Sequence, residues 1–163
     1  MYGASAPLKK VSITSPTASV TFTDIPQTYR DLYIVLNGGM TSRGNPSITI
    51  PSQAWSMSGG KYNIGGTTYD VVSSVNDNLT LHVNYWTTTN SGFMEISIFN
   101  YSNANNDLAL VMSASAAGSA TSGDITGMSI GTGLTTKNAG TTQLTITGPF
   151  TAGTELKMWG IKA

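Results

Sequence analysis

Hydrophobic and polar residues alternate along most of this chain, in short runs broken by Gly, Asn, Pro and Ser. Residues 11–14 alternate, and residues 19–23 place Val20 and Phe22 on one side. In residues 31–37, Leu32, Ile34 and Leu36 fall on one side and Tyr33 and Val35 on the other. Two apolar faces predict a central strand, covered on both sides. Residues 47–50 alternate up to Pro51, residues 68–75 alternate weakly, and residues 79–85 alternate clearly, with Leu79, Leu81, Val83 and Tyr85 inward. Further strands are predicted over 93–101 (Met94, Ile96, Ile98 inward), 107–113 (Leu108, Leu110, Met112), 125–130, 143–147 (Leu144, Ile146) and 155–162 (Leu156, Met158). Gly127 inside the run 125–130 predicts a bulge, because a strand glycine often marks one.

No window sustains a period of 3.6. Residues 114–120 come nearest to a helix, but their Ser and Gly content reads as a loop. Gly38-Gly39, Gly59-Gly60, Gly65-Gly66, residues 103–106 and residues 131–140 also read as loops. Nine to eleven short strands at regular spacing predict an all-β fold, an antiparallel β-sandwich or barrel. Residues 1–10 read as an extended N-terminal arm and residues 11–163 as a single β-sandwich domain. A chain of 163 residues is long enough for its own core.

Composition narrows the function classes. Only 10% of residues are charged, with 8 Lys+Arg balancing 8 Asp+Glu, while Ser and Thr make up about a quarter of the chain. An ordinary soluble domain carries roughly 25% charged residues. Such a surface offers no basic patch for phosphates, so no nucleic-acid partner is expected. A net charge of +0 leaves little self-repulsion and suits a protein packed against its own copies. There is no Cys, which removes disulfides, thiolate metal sites and a Cys nucleophile. No apolar run approaches a membrane span, and residues 1–10 lack the charged and apolar regions of a signal peptide.

Candidate chemistry is sparse. His82 is the single histidine, and alternation places it outward beside Thr80 and Asn84. A Ser-His-Asp relay or a His-ligated metal would depend on this one residue. The carboxylates show no local pair of the kind glycoside hydrolysis needs. Residues 76–78 and 103–107 are rich in Asn and Asp without the spacing of a calcium loop. Gly131-Thr132-Gly133 lacks the helix and Lys-Ser/Thr of a phosphate cradle. The expectation is no catalytic residue, no cofactor and no metal. Among the aromatics, Trp55, Tyr62 and Trp86 are candidate interface residues, since exposed rings anchor contacts. Lys9 and Lys10 join them from the N-terminal arm.

Three segments resemble a group of bacteriophage virion proteins. Residues 19–32, SVTFTDIPQTYRDL, match an alternating strand that enters an Ile-Pro-x-x-Tyr-x-x-Leu turn, here Ile25, Pro26, Tyr29 and Leu32. Residues 95–102, EISIFNYS, are similar to that group's I-x-I-x-N-Y strand end. Residues 150–163, FTAGTELKMWGIKA, look like its terminal F-x-x-G-S-x-x-x-L-Y-G-I-K, with Gly160 near the end. The order matches across nearly the whole domain. The middle departs: of an F-N-x-D-x-x-x-N-Y segment, residues 50–63 keep only Tyr62-Asn63.

The resemblance implies a jelly-roll-like sandwich on a virion, assembled as a homotrimer with the major capsid protein as partner. A capsid decoration (cement) protein is expected, on the outer surface of the head, since the sequence starts at its own Met and holds one module without a stalk. The alternative is a tail-fibre or receptor-binding module that recognises host glycans through loop Trp, Tyr, Asn and Asp. Locally, Pro26 should force a turn and hold Ile25 extended. Tyr29 should fold back over the core with its hydroxyl on backbone. Gly160 should let a neighbouring strand or a Trp approach closely.

Overall fold

The computed structural model describes residues 6–42, 46–51, 55–58, 60–64, 67–71, 75–76, 79–80, 92–104, 108–116, 127–135 and 140–162. The alternating runs form fourteen described strands, β1 (Lys9–Ser12), β2 (Thr17–Phe22), β3 (Asp31–Gly38), β4 (Ser47–Thr49), β5 (Trp55–Ser58), β6 (Gly60–Ile64), β7 (Thr67–Val71), β8 (Val75–Asn76), β9 (Leu79–Thr80), β10 (Gly92–Phe99), β11 (Leu108–Ala116), β12 (Gly127–Thr135), β13 (Leu144–Phe150) and β14 (Glu155–Ile161). No helix occurs among the described residues.

The large sheet runs β1-β14-β3-β10-β11-β12-β5-β8, the small sheet β2-β13-β4-β9, and β6 and β7 form a separate hairpin. Every pairing is antiparallel. Eight of these strands nest. β1 pairs with β14, β2 with β13, β3 with β10 and β4 with β9. Successive strands of that set alternate between β1-β14-β3-β10 and β2-β13-β4-β9, except at the β4-β9 pair where the nested hairpin turns back. A long antiparallel hairpin rolled up in this way is a jelly roll. The remaining strands are insertions that widen the large sheet beyond β10 or, as β6, lie beside β12.

The core lies between the sheets. Leu32, Ile34, Leu36, Ile96, Ile98, Leu156 and Met158 from the large sheet face Phe22, Ile48, Leu144, Ile146 and Phe150 from the small one. All are buried, and each Leu, Ile, Met or Phe stabilises the fold by about 1.5–3 kcal/mol relative to exposure. β3 is central as expected, between β14 and β10.

Some strands depart from the sequence expectation. β12 takes in Gly131–Gly133 and Thr135, which read as loop, and β11 extends through Ala114–Ala116. Gly131 and Gly133 lie opposite Met112 and Leu110, so pairing with β11 supplies what the glycines' own propensity lacks. Gly127 carries no bulge, because β11 and β12 pair one to one from Leu108↔Thr135 to Ala116↔Gly127. The irregularity falls instead in β13, between Thr147 and Phe150. β1 also takes in Lys9 and Lys10, expected in the arm, and Leu8 N–H already donates to Met158 O at 2.8 Å.

Candidate functional site

The segments around Ile25-Pro26, Asn100-Tyr101 and Gly160 meet at one end of the sandwich. Leaving β2, the chain turns through Asp24, whose φ of 52° is left-handed, and buries Ile25. Asp tolerates that region better than most residues. Ile25 N–H donates to Thr142 O at 3.0 Å. Gln27 Nε2 donates to Ile25 O at 2.9 Å and to Thr141 O at 2.8 Å, closing the turn onto the loop before β13.

Tyr101 fixes this turn from the other side. Its side chain is fully buried and its hydroxyl donates to the Pro26 carbonyl. Burial pushes the Tyr101 phenol above its ordinary value, partly offset by a hydrogen bond from the Tyr29 backbone. The backbone continues the contact, since Thr141 N–H donates to Tyr101 O at 2.9 Å.

Asn100 precedes Tyr101 at φ 57°, a left-handed position where Asn is one of the few tolerated side chains. Its N–H donates to Asp31 Oδ1 at 3.0 Å. The other Asp31 oxygen receives Arg30 Nε at 2.8 Å and Arg30 Nη2 at 2.7 Å. Asp31 is only 3% exposed, and a buried carboxylate needs such partners. Its neighbourhood holds the Arg30 guanidinium above the ordinary value. Arg30 N–H in turn donates to Ile161 O at 2.9 Å, tying the turn to β14.

Tyr29 lies on Gly160. A Cβ built at Gly160 would stand 2.3 Å from Tyr29 Cγ, so only glycine leaves room for the ring. The expected close approach at Gly160 is therefore made by Tyr29 rather than by a strand or a Trp. The hydroxyl that closes on backbone here belongs to Tyr101. Leu32 continues the turn into the fully buried start of β3.

The two outer faces of the sandwich differ. On the small sheet, cross-strand partners Thr21, Thr145 and Thr49 form one row and Ser19, Thr147 and Ser47 another. The Thr21 and Thr145 hydroxyls lie 2.9 Å apart. β2, β4 and β13 carry no charged residue. On the large sheet, the Tyr33 and Trp159 rings lie 5.9 Å apart at 36°. Tyr33 Oη donates to Glu95, which also accepts Ser113 Oγ at 3.4 Å. Lys10 and Lys157 flank Glu155 at 2.9 and 2.8 Å. Hydrogen bonding to Lys157 first, and to Lys10 next, lowers the Glu155 carboxyl to about 2.

Of the expected interface residues, Lys9 and Lys10 lie in the edge strand β1, and Trp55 and Tyr62 are placed by backbone on β5 and β6. Trp86 and His82 lie outside the described residues. Among the described residues, no three His, Cys, Asp or Glu gather where they could hold a metal. Sequence reasoning passed over Asp31, Gln27 and the role of the Tyr101 hydroxyl. The signal available was the Asn-Tyr pair after an alternating strand, since Asn at a strand end favours a left-handed turn.

Comparison with known proteins finds no matching family model, no matching curated protein and no matching solved structure.

Proposed function

We propose that the chain is a bacteriophage capsid decoration protein, a homotrimer on the outer surface of the head that reinforces contacts between major capsid subunits. The observation that carries this reading is the corner itself. The three segments that resemble virion proteins lie far apart in sequence and are joined there by Tyr101 to Pro26, Asn100 to Asp31 and Tyr29 on Gly160. They work as parts of one architectural unit, inside the jelly-roll-like sandwich that the resemblance implies. The balanced, charge-poor composition supports binding through shape and buried apolar contacts, because few charges are present to carry it.

Electron microscopy of particles with and without this protein tests the reading. Decoration predicts added density at the three-fold positions of the head, and heads that rupture more readily when the protein is removed. Density confined to the tail contradicts it and favours the glycan-recognising fibre module.

A further inference from the structure

Among the described residues, the large hydrophobic side chains left exposed are Phe93, Phe99 and Val111, each at 39%. Their registers place all three on the outer face of the large sheet, since Phe93 lies opposite Asn37, Phe99 opposite Ala109, and Val111 opposite Ser97. The half-buried Tyr33, Val35 and Trp159 fill the strands beside them. The small sheet presents Ser and Thr at the equivalent positions. Scattered apolar residues need no explanation, but a one-sided concentration marks a contact surface.

We propose that this outer face of the large sheet packs against a second copy of the chain. The proposal rests on the self-association in the reading above and names its surface, the outer face of β14, β3, β10 and β11. In a trimer this face would turn toward the axis.

Charge and area both point to a second copy as the occupant. The open face carries two lysines and two glutamates, and each is already engaged within the chain: Glu155 by Lys10 and Lys157, Glu95 by Tyr33 and Ser113. Asp31, at one end, is buried and held by Arg30. A strongly charged partner would find no counter-charge to pair with here. A second copy presents the same internally balanced mixture and brings no net charge of its own. Five strands about 4.8 Å apart, with about seven residues at about 3.4 Å each, give a face of roughly 600 Å². That reaches the lower end of the roughly 600–1,000 Å² per partner found in specific interfaces.

Sedimentation velocity and light scattering on the purified full chain test this, with Val111→Lys and Phe93→Lys on the large sheet and Thr21→Lys and Thr147→Lys on the small one. Thermal melts check that each variant folds, and Val111→Thr replaces any Lys variant that does not. The wild type should be oligomeric. Either large-sheet variant should weaken self-association at least about tenfold, because a buried lysine would lose its hydration unpaired. Both small-sheet variants should leave it intact. A wild type that stays monomeric at every attainable concentration overturns the proposal, as does an oligomer that dissociates only with the small-sheet variants. The two readings fail separately. A monomer that still decorates heads contradicts this interface alone, while an oligomer that needs Val111 but never binds heads contradicts the decoration role alone.

Discussion

The Tyr101 hydroxyl donates to the carbonyl of Pro26, 75 positions earlier in the chain. This contact joins the end of β10 to the turn that leads into β3, at the point where both strands leave the large sheet. The ring is fully buried, and its hydroxyl is held between the Pro26 carbonyl and the Tyr29 backbone.

Tyr101→Phe should cost about 1 kcal/mol in equilibrium denaturation, the net worth of the hydrogen bond it removes. The same group gives the fold a limit at high pH. Burial raises the folded phenol above its unfolded value of 10.0. The unfolded chain then releases this proton first, and stability falls as pH rises above about 10. Unfolding measured at pH 9 and pH 11 should show a smaller loss in Tyr101→Phe than in the wild type. An equal loss in both would place the alkaline sensitivity elsewhere.

Gly160→Ala pushes a Cβ to within 2.3 Å of Tyr29 Cγ, close to the root of that ring, where little movement is possible. Overpacking of this kind costs about 1–3 kcal/mol. In a Tyr29→Ala background the same change should cost less than about 0.5 kcal/mol, since the obstructing ring is gone. Denaturation midpoints of the four proteins measure this, and equal costs in both backgrounds would show that the ring does not rest on Gly160.

Thr141 Oγ1 is buried without a hydrogen-bond partner among the described residues. Its hydroxyl sits beside a corner whose other polar groups are paired. Thr141→Val keeps the shape and removes the orphan, and should raise stability by about 0.5–2 kcal/mol. A loss of stability in thermal denaturation would mean that the hydroxyl serves a partner in the native protein.

Glu155 ties the edge strand β1 to β14 through Lys10. Its carboxyl is lowered from 4.5 to about 2 in the folded protein. Its contribution is complete above about pH 4.5 and disappears as pH falls through about 2. Glu155→Gln should flatten the acid dependence of the melting temperature in that window and change little at neutral pH, because both partners are exposed. Unchanged acid sensitivity in the variant would argue against the pairing.

What could be read from the sequence follows from where each residue's partner lies. β3 was legible because Leu32, Ile34 and Leu36 alternate with Tyr33 and Val35, and both faces carry apolar side chains. β10 and β14 showed the same period. β12 was not fully legible, since Gly127, Gly131 and Gly133 have no side chain to express a period and the strand exists by pairing with β11. The nesting of β1 with β14 and β2 with β13 also lies beyond local pattern. At the corner, Ile25, Pro26 and Gly160 announced a turn and a close approach. The roles of Asp31 and Tyr101 stayed hidden, because each depends on a partner 69 or 75 positions away.

Most directly at stake is whether the three segments form one cooperative corner. A double-mutant cycle in urea between Tyr101→Phe and Asp31→Ala measures this, because both side chains hold the turn before β3 to the end of β10. Each single change should cost about 1–3 kcal/mol, and the pair should couple by at least about 0.5 kcal/mol. Two small, additive effects would contradict the corner as a unit and free these residues for another role.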